Sequence, residues 1–274
     1  MKEVLFEKMH GAGNDFIMIN DIEDKLDFSP ETIRALCAFH TGIGADGLIM
    51  IKPSTKADFG MRYFNSDGSE AEMCGNGARC VTLFAYNSGL MGKSMSFDTA
   101  SGIMKAEVKG DLVSVEIGDV KEFKANLELD GVKEIVHCGI CGVPHAAVLV
   151  EDVRKIPRDE LLDLAKEIRF HDFFSPKGTN VNFVSVEDDH TLSYRTYERG
   201  VEDETLACGT GAVTISVIFS HLGLTESPVK CKTSSGDVLE VQFDINPDGA
   251  SNCILTGPAV VSFKGSFDLD VYQS

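Results

Sequence analysis

The sequence predicts an α+β protein of two similar domains produced by internal duplication, each made of many strands around one long apolar helix. Three observations carry this. The run Cys74-Gly75-Asn76-Gly77-Ala78 recurs as Cys208-Gly209-Thr210-Gly211-Ala212, displaced by 208 − 74 = 134 residues. Each copy introduces an apolar run that closes at a glycine, Gly89 and Gly223, where 223 − 89 = 134, and glycine suits a helix C-cap. The same displacement relates Thr99-Ala100-Ser101-Gly102 to Thr233-Ser234-Ser235-Gly236, and more weakly Gly44-Ala45-Asp46-Gly47 to Gly178-Thr179-Asn180-Val181. Matches in one register at about half the chain length mark a repeat.

Taken in order, residues 4–10 and 16–19 read as strands broken by Gly11-Ala12-Gly13-Asn14-Asp15. Pro30 opens a helix with Ser29 as N-cap, running to Phe39. Strands follow at 48–51 and 59–64, then the first cysteine loop and a helix at 78–86. Residues 94–99, 103–108 and 112–117 are strands, the last two alternating as half-buried strands do. The pattern restarts around 118–124, so the domains are read as 1–118 and 119–263, with 264–274 packing back on the first. In the second half, strands at 135–141 and 146–150 flank Gly142-Val143-Pro144-His145. A helix at 158–168 follows, then strands at 180–186 and 192–197, the second cysteine loop, a helix at 213–222, and strands at 229–232, 238–243, 252–256 and 259–267.

Composition limits the function. The chain has 274 residues, 43% hydrophobic and 25% charged, ordinary values for a soluble globular protein with ample core. A net charge of −18 argues against nucleic acid and anionic membranes, since both require basic patches. No long apolar run exists, and residues 1–4 lack the core of a signal peptide, so a cytoplasmic protein is expected. Eight cysteines in such a chain are thiols rather than a disulfide framework.

A thiol at a helix N-terminus meets unpaired amides and the positive end of the helix dipole, which favours the thiolate. The same amides can seat a carboxylate. Two such thiols on like domains suit inversion of a carbon centre, one taking a proton and the other returning one to the opposite face. Helix amides would hold the carboxylate and the charge developing on it. No Schiff-base lysine or phosphate-binding signature is apparent, so pyridoxal phosphate is not expected. Cys138-Gly139-Ile140-Cys141 has redox or zinc spacing, but no second pair completes a zinc site, and no metal is expected. Cys37, Cys80, Cys231 and Cys253 sit among apolar neighbours and read as core. A thiol redox enzyme and a non-catalytic amino-acid-binding module are the rival classes. The first lacks a redox Cys-x-x-Cys at a helix start, and the second needs no thiol.

Met9-His10-Gly11-Ala12-Gly13-Asn14-Asp15-Phe16, Phe64 through Arg79, Tyr197-Glu198-Arg199-Gly200 and Thr205 through Ala212 resemble the diaminopimelate epimerase family. The resemblance runs from first strand to last. It implies two pseudo-symmetric domains, each a β-sheet wrapped around a central α-helix, and no cofactor. The implied reaction interconverts LL- and meso-diaminopimelate in lysine and peptidoglycan precursor synthesis. By that similarity Cys74 and Cys208 are the two bases, and His145 and Glu198 flank the reacting centre. Gly75, Asn76, Gly209 and Thr210 match α-carboxylate positions, while Asn14, Asn65, Asn180, Glu198 and Arg199 match other substrate-binding positions. The chain departs from the family at three points. Val143 stands where many members have asparagine, Gly47 stands where many have glutamine, and the stretch from Gly200 to Thr205 is one residue longer. A sister racemase acting on another amino acid is therefore the alternative. A small amino-acid substrate is the expected partner, and a homodimer is compatible with the sequence.

Overall fold

The computed structural model describes residues 3–71 and 73–272. Glu72 of the first cysteine loop, half of the N-terminal stretch 1–4 and the last two residues of the 264–274 segment lie outside the described residues. The chain forms two compact units, Met1–Val115 with Gly257–Ser274, and Glu116–Thr256.

The first unit begins with β1 (Glu3–Gly11) and β2 (Asn14–Asn20), followed by α1 (Pro30–Cys37), β3 (Gly47–Lys52), β4 (Phe59–Asn65) and β5 (Glu70–Ala71). Then come α2 (Gly75–Asn87), β6 (Ser94–Thr99), β7 (Gly102–Lys109) and the start of β8 (Leu112–Glu128). The strands pair in the order β1-β2-β3-β4-β6-β7-β8, with β2/β3 and β4/β6 parallel. Helix α2 packs against β1, β2, β3 and β7, burying Ala78, Cys80, Val81, Phe84 and Ala85. Ser29 caps α1, its hydroxyl accepting from Thr32 N–H at 3.2 Å, and Ile33, Leu36 and Cys37 cover Ile17, Ile19, Leu48 and Met50. The helix stops at Cys37, so Phe39 lies outside it and is exposed.

The second unit holds the rest of β8 with β9 (Ile135–Cys141), β10 (Val143–Leu149), α3 (Arg158–Arg169), β11 (Asn180–Asp188), β12 (Thr191–Glu198) and β13 (Asp203–Thr205). Helix α4 (Gly209–His221) precedes β14 (Val229–Lys232), β15 (Val238–Asn246) and β16 (Gly249–Pro258). The order β8-β9-β10-β11-β12-β14-β15-β16 closes on itself, because β16 pairs with β8. Helix α4 packs against β9, β10, β11, β12, β14 and β15. Its apolar side chains are buried all round, as expected of a helix enclosed by sheet. The final strand, β17 (Val260–Asp268), runs antiparallel to β1 from His10↔Val260 to Glu3↔Asp268. This ladder is why the returning segment starts at Gly257 rather than 264.

The repeat has matching local geometry. Gly89 (φ 73°) and Gly223 (φ 72°) both close their helices in the left-handed region. Gly89 N–H donates to Tyr86 O and Gly223 N–H to Ser220 O, each at 3.0 Å. Both central helices begin earlier than their apolar runs, at Gly75 and Gly209 instead of 78 and 213. Glycine is a poor helix former, but proximity overrides propensity here. A Cβ on Gly77 would lie 2.7 Å from Ile49 Cδ1, and one on Gly211 would lie 2.7 Å from Asn182 Oδ1. Only glycine lets the first turn of each helix lie against its strands. Strand β8 also departs from the alternation, running through Gly118 (φ 99°) with register shifts at 121/124 and 124/127 that absorb the break.

Candidate active site

In the first unit Cys74 is extended (φ −142°, ψ 120°) and caps α2, its sulfur accepting from Gly77 N–H at 3.4 Å. The turn between β1 and β2, with Ala12 at φ 55° and Gly13 at φ 86°, presents Asn14 to this sulfur. Asn14 Nδ2 donates to Asp46 Oδ2 at 2.8 Å. A carboxylate only accepts, so the amide nitrogen must face Asp46 and the oxygen must face the other way. Asn14 Oδ1 then lies 3.5 Å from Cys74 Sγ and accepts from Asn76 Nδ2 at 3.3 Å. Asp46 is itself braced. It accepts from Asp15 N–H at 3.2 Å, and Asp46 N–H donates to Asp15 Oδ1 at 2.8 Å. Lys8 pairs with Asp15 at 2.6 Å.

Arg79 lies fully buried one turn into α2. It donates to Gly75 O at 3.3 Å, Asn76 Oδ1 at 2.9 Å and Pro258 O at 3.2 Å. The guanidinium thereby fixes the Asn76 carboxamide with its nitrogen toward Asn14. Cys74, Gly75, Asn76 and Asn14 are thus brought into one cluster. Asn65 is engaged in its own turn at the end of β4, where Nδ2 donates to Ser69 Oγ at 3.1 Å.

In the second unit Cys208 (φ −118°, ψ 113°) caps α4, and its carbonyl accepts from Tyr194 OH at 3.0 Å. Its sulfur is 3.6 Å from Thr210 Oγ1, and that oxygen is 3.0 Å from His145 Nε2. The parallel β10/β11 ladder sets His145 beside Asn180. Asn180 Oδ1 accepts from Arg199 N–H at 2.8 Å, which fixes the backbone where β12 ends. Glu198 accepts from Thr205 Oγ1. Burial raises its carboxyl above the usual range, opposed by that hydrogen bond. Burial, helped by the Arg199 charge, pushes the His145 imidazole down to about 3, so it is neutral at physiological pH.

Four supporting residues carry no role in the sequence reading. Arg79 and Asp46 orient the Cys74 cluster, while Asn182 and Thr196 lie fully buried behind His145. A sequence signal did exist for Asn182. It follows Asn180 by two in a strand, so two polar residues share the face that also carries the site. The other thiols are held in their protonated form. Burial pushes Cys37, Cys80, Cys141 and Cys231 up to about 12, and Cys138 and Cys253 up to about 11. Among the described residues no group of three or more His, Cys, Asp or Glu side chains is placed to hold a metal ion.

The fold is shared with solved structures of other proteins. Solved structures of a phenazine biosynthesis protein of the PhzF family from Bacillus anthracis and a hydroxyproline epimerase from Agrobacterium vitis superpose with TM-scores of 0.73 and 0.68. Both are 17% identical to this chain; they cover 98% of it, and 100% and 93% of their own lengths respectively. A family model described as diaminopimelate epimerase matches residues 6–122 and 139–261. The diaminopimelate epimerase of Aquifex aeolicus is 44% identical over 98% of this chain and 99% of its own. That of Archaeoglobus fulgidus is 41% identical over 97% of each. The chain belongs to the diaminopimelate epimerase family.

The three departures each have a structural setting. A Cβ on Gly47 would lie 2.5 Å from Phe64 O and 2.7 Å from Tyr63 Cε2, so the backbone here has no room for a side chain. Val143 opens β10, paired with Cys141. The longer stretch forms a turn with Gly200 (φ 91°) and Glu202 (φ 58°), tied down by Arg169 Nη2 to Glu202 Oε1 at 2.7 Å.

Proposed function

We propose that this chain interconverts LL- and meso-diaminopimelate without a cofactor, in the synthesis of lysine and peptidoglycan precursors. Full-length similarity to diaminopimelate epimerases supports the substrate. The observation that carries the chemistry is a cysteine at the N-cap of each buried central helix. One thiolate removes the α-proton while the other thiol protonates the opposite face. The first-turn amides of Gly75, Asn76, Gly209 and Thr210 bind the α-carboxylate and the charge that develops next to it. His145 and Glu198 flank the reacting carbon, and Asn14, Asn65, Asn180 and Arg199 bind the remaining polar groups. Incubation with LL-diaminopimelate in deuterated water tests this. Deuterium should enter the α-carbon as the meso isomer forms. Absence of α-exchange would overturn it.

No helix among the described residues is long and apolar enough to cross a membrane, which fits a cytoplasmic biosynthetic enzyme; a homodimer is the assembly proposed. The alternative substrate, an amino acid lacking the distal carboxylate, is favoured by Val143 and by Gly47, where no side chain fits.

A further inference from the structure

Asn182 is not among the residues to which the resemblance gives a role, yet it is fully buried and hydrogen-bonded on every side. Its Nδ2 donates to Ala146 O at 2.9 Å and faces His145 Nδ1 at 3.4 Å. Its Oδ1 accepts from Thr196 Oγ1 at 2.8 Å. A backbone carbonyl can only accept, so the atom facing Ala146 must be the amide nitrogen. The same nitrogen faces His145 Nδ1, which must therefore accept. A neutral imidazole with an accepting Nδ1 carries its proton on Nε2. That proton points to Thr210 Oγ1, 3.0 Å away. Thr210 Oγ1 now accepts from the histidine, and its own hydrogen is left for Cys208 Sγ at 3.6 Å.

We infer that Asn182 is a positioning residue that holds His145 in its Nε2–H form and so makes Thr210 a hydrogen-bond donor to Cys208. The direction of every bond in the chain Asn182, His145, Thr210, Cys208 is dictated by the single acceptor at Ala146. The low basicity of His145 keeps the ring neutral, so its tautomer is the only variable. A donated hydroxyl stabilises sulfur in its anionic form. On the Cys74 side the fixed neighbour is the opposite, the accepting Asn14 Oδ1.

This deepens the epimerase reading, and its test does not use turnover. The tautomer is read first, by ¹⁵N NMR of the full chain labelled at histidine, with His145 assigned from the signal lost in His145→Gln. A non-protonated Nδ1 and a protonated Nε2 are expected; a protonated Nδ1 in the unaltered chain overturns the inference without any substitution at Asn182. The second readout is the iodoacetamide rate at Cys208, followed by peptide mapping with Cys74 as internal reference. Thr210→Val should slow Cys208 about tenfold, the scale of one hydrogen bond to a charged group. Thr210→Ser should restore it. Asn182→Leu should slow Cys208 similarly, and the double variant should be no slower than either single one. Additive losses, or equal slowing at Cys74, would make Asn182 merely structural and overturn the relay. An inactive chain with the expected tautomer and rates would instead refute the substrate assignment and leave the relay standing.

Discussion

The carbonyl oxygen of Phe64 lies 2.5 Å from where a Cβ on Gly47 would stand. The two residues sit in neighbouring positions of the β3/β4 ladder, Gly47 opposite Asn65 and Leu48 opposite Phe64. Gly47→Gln is therefore expected to destabilise the chain, by about 1–3 kcal/mol as overpacked sites do. Urea unfolding of the two forms checks this. A variant as stable as the parent would mean that the strands separate at no cost.

Either thiol lost should end the reaction. Cys74→Ala and Cys208→Ala are expected to retain the fold, by circular dichroism, and to abolish conversion of LL- to meso-diaminopimelate. Serine at either position should give weak activity at best, since a hydroxyl is a far weaker acid than a thiol. Near-normal turnover by a folded Cys208→Ala enzyme would refute the two-base chemistry.

Arg199 is expected to hold the distal carboxylate, because Val143 offers only its backbone there and Gly47 offers no side chain. Arg199→Ala should lower kcat/KM for LL-diaminopimelate by about ten- to a hundredfold, the scale of charge-assisted hydrogen bonds. Lysine and ornithine, which lack that carboxylate, should be poor substrates for both forms. Faster turnover of either one, unaffected by the substitution, would identify a racemase for a different amino acid.

His145 gives a pH signature. In the folded chain it titrates at about 3, against about 6.5 in an unfolded one. Between those values the unfolded state binds the extra proton, so stability falls as the solution is acidified from 6.5 toward 3. The slope from this residue is about 1 kcal/mol per pH unit. Between pH 7 and 5 the unaltered chain should thus lose roughly 1–2 kcal/mol more stability than His145→Gln. Parallel losses in the two proteins would show that His145 is not held neutral.

The cysteine loops of the candidate site are legible because duplication writes their constraints twice. Cys74 and Cys208 stand in identical glycine frames, and the glycines are required by close packing against Ile49 and Asn182. The strands appear where one face is buried, since alternation records that directly. The starts of α2 and α4 are not legible because glycine carries no helical signal, and only tertiary packing puts Gly75 and Gly209 in a helix. Strand β8 obscured its own length through register shifts that periodicity cannot anticipate. Arg79 is illegible for a different reason, and Asn182 is marked only by its spacing from Asn180. A buried polar residue is defined by partners distant in sequence, such as Pro258 for Arg79 and Ala146 for Asn182.

The two cysteine motifs rest on different props, so they are not interchangeable. Asn76 and Thr210 occupy the same place in their repeats, but Asn76 serves Arg79 and Asn14 while Thr210 serves His145. Strand register sets His145 where the first half has Asp15, which holds Lys8 instead. A recombination that copied the second motif over the first would put a hydroxyl where a buried guanidinium needs a carboxamide oxygen. Each half answers to its own partners, while the repeat stays legible in four short patches of sequence.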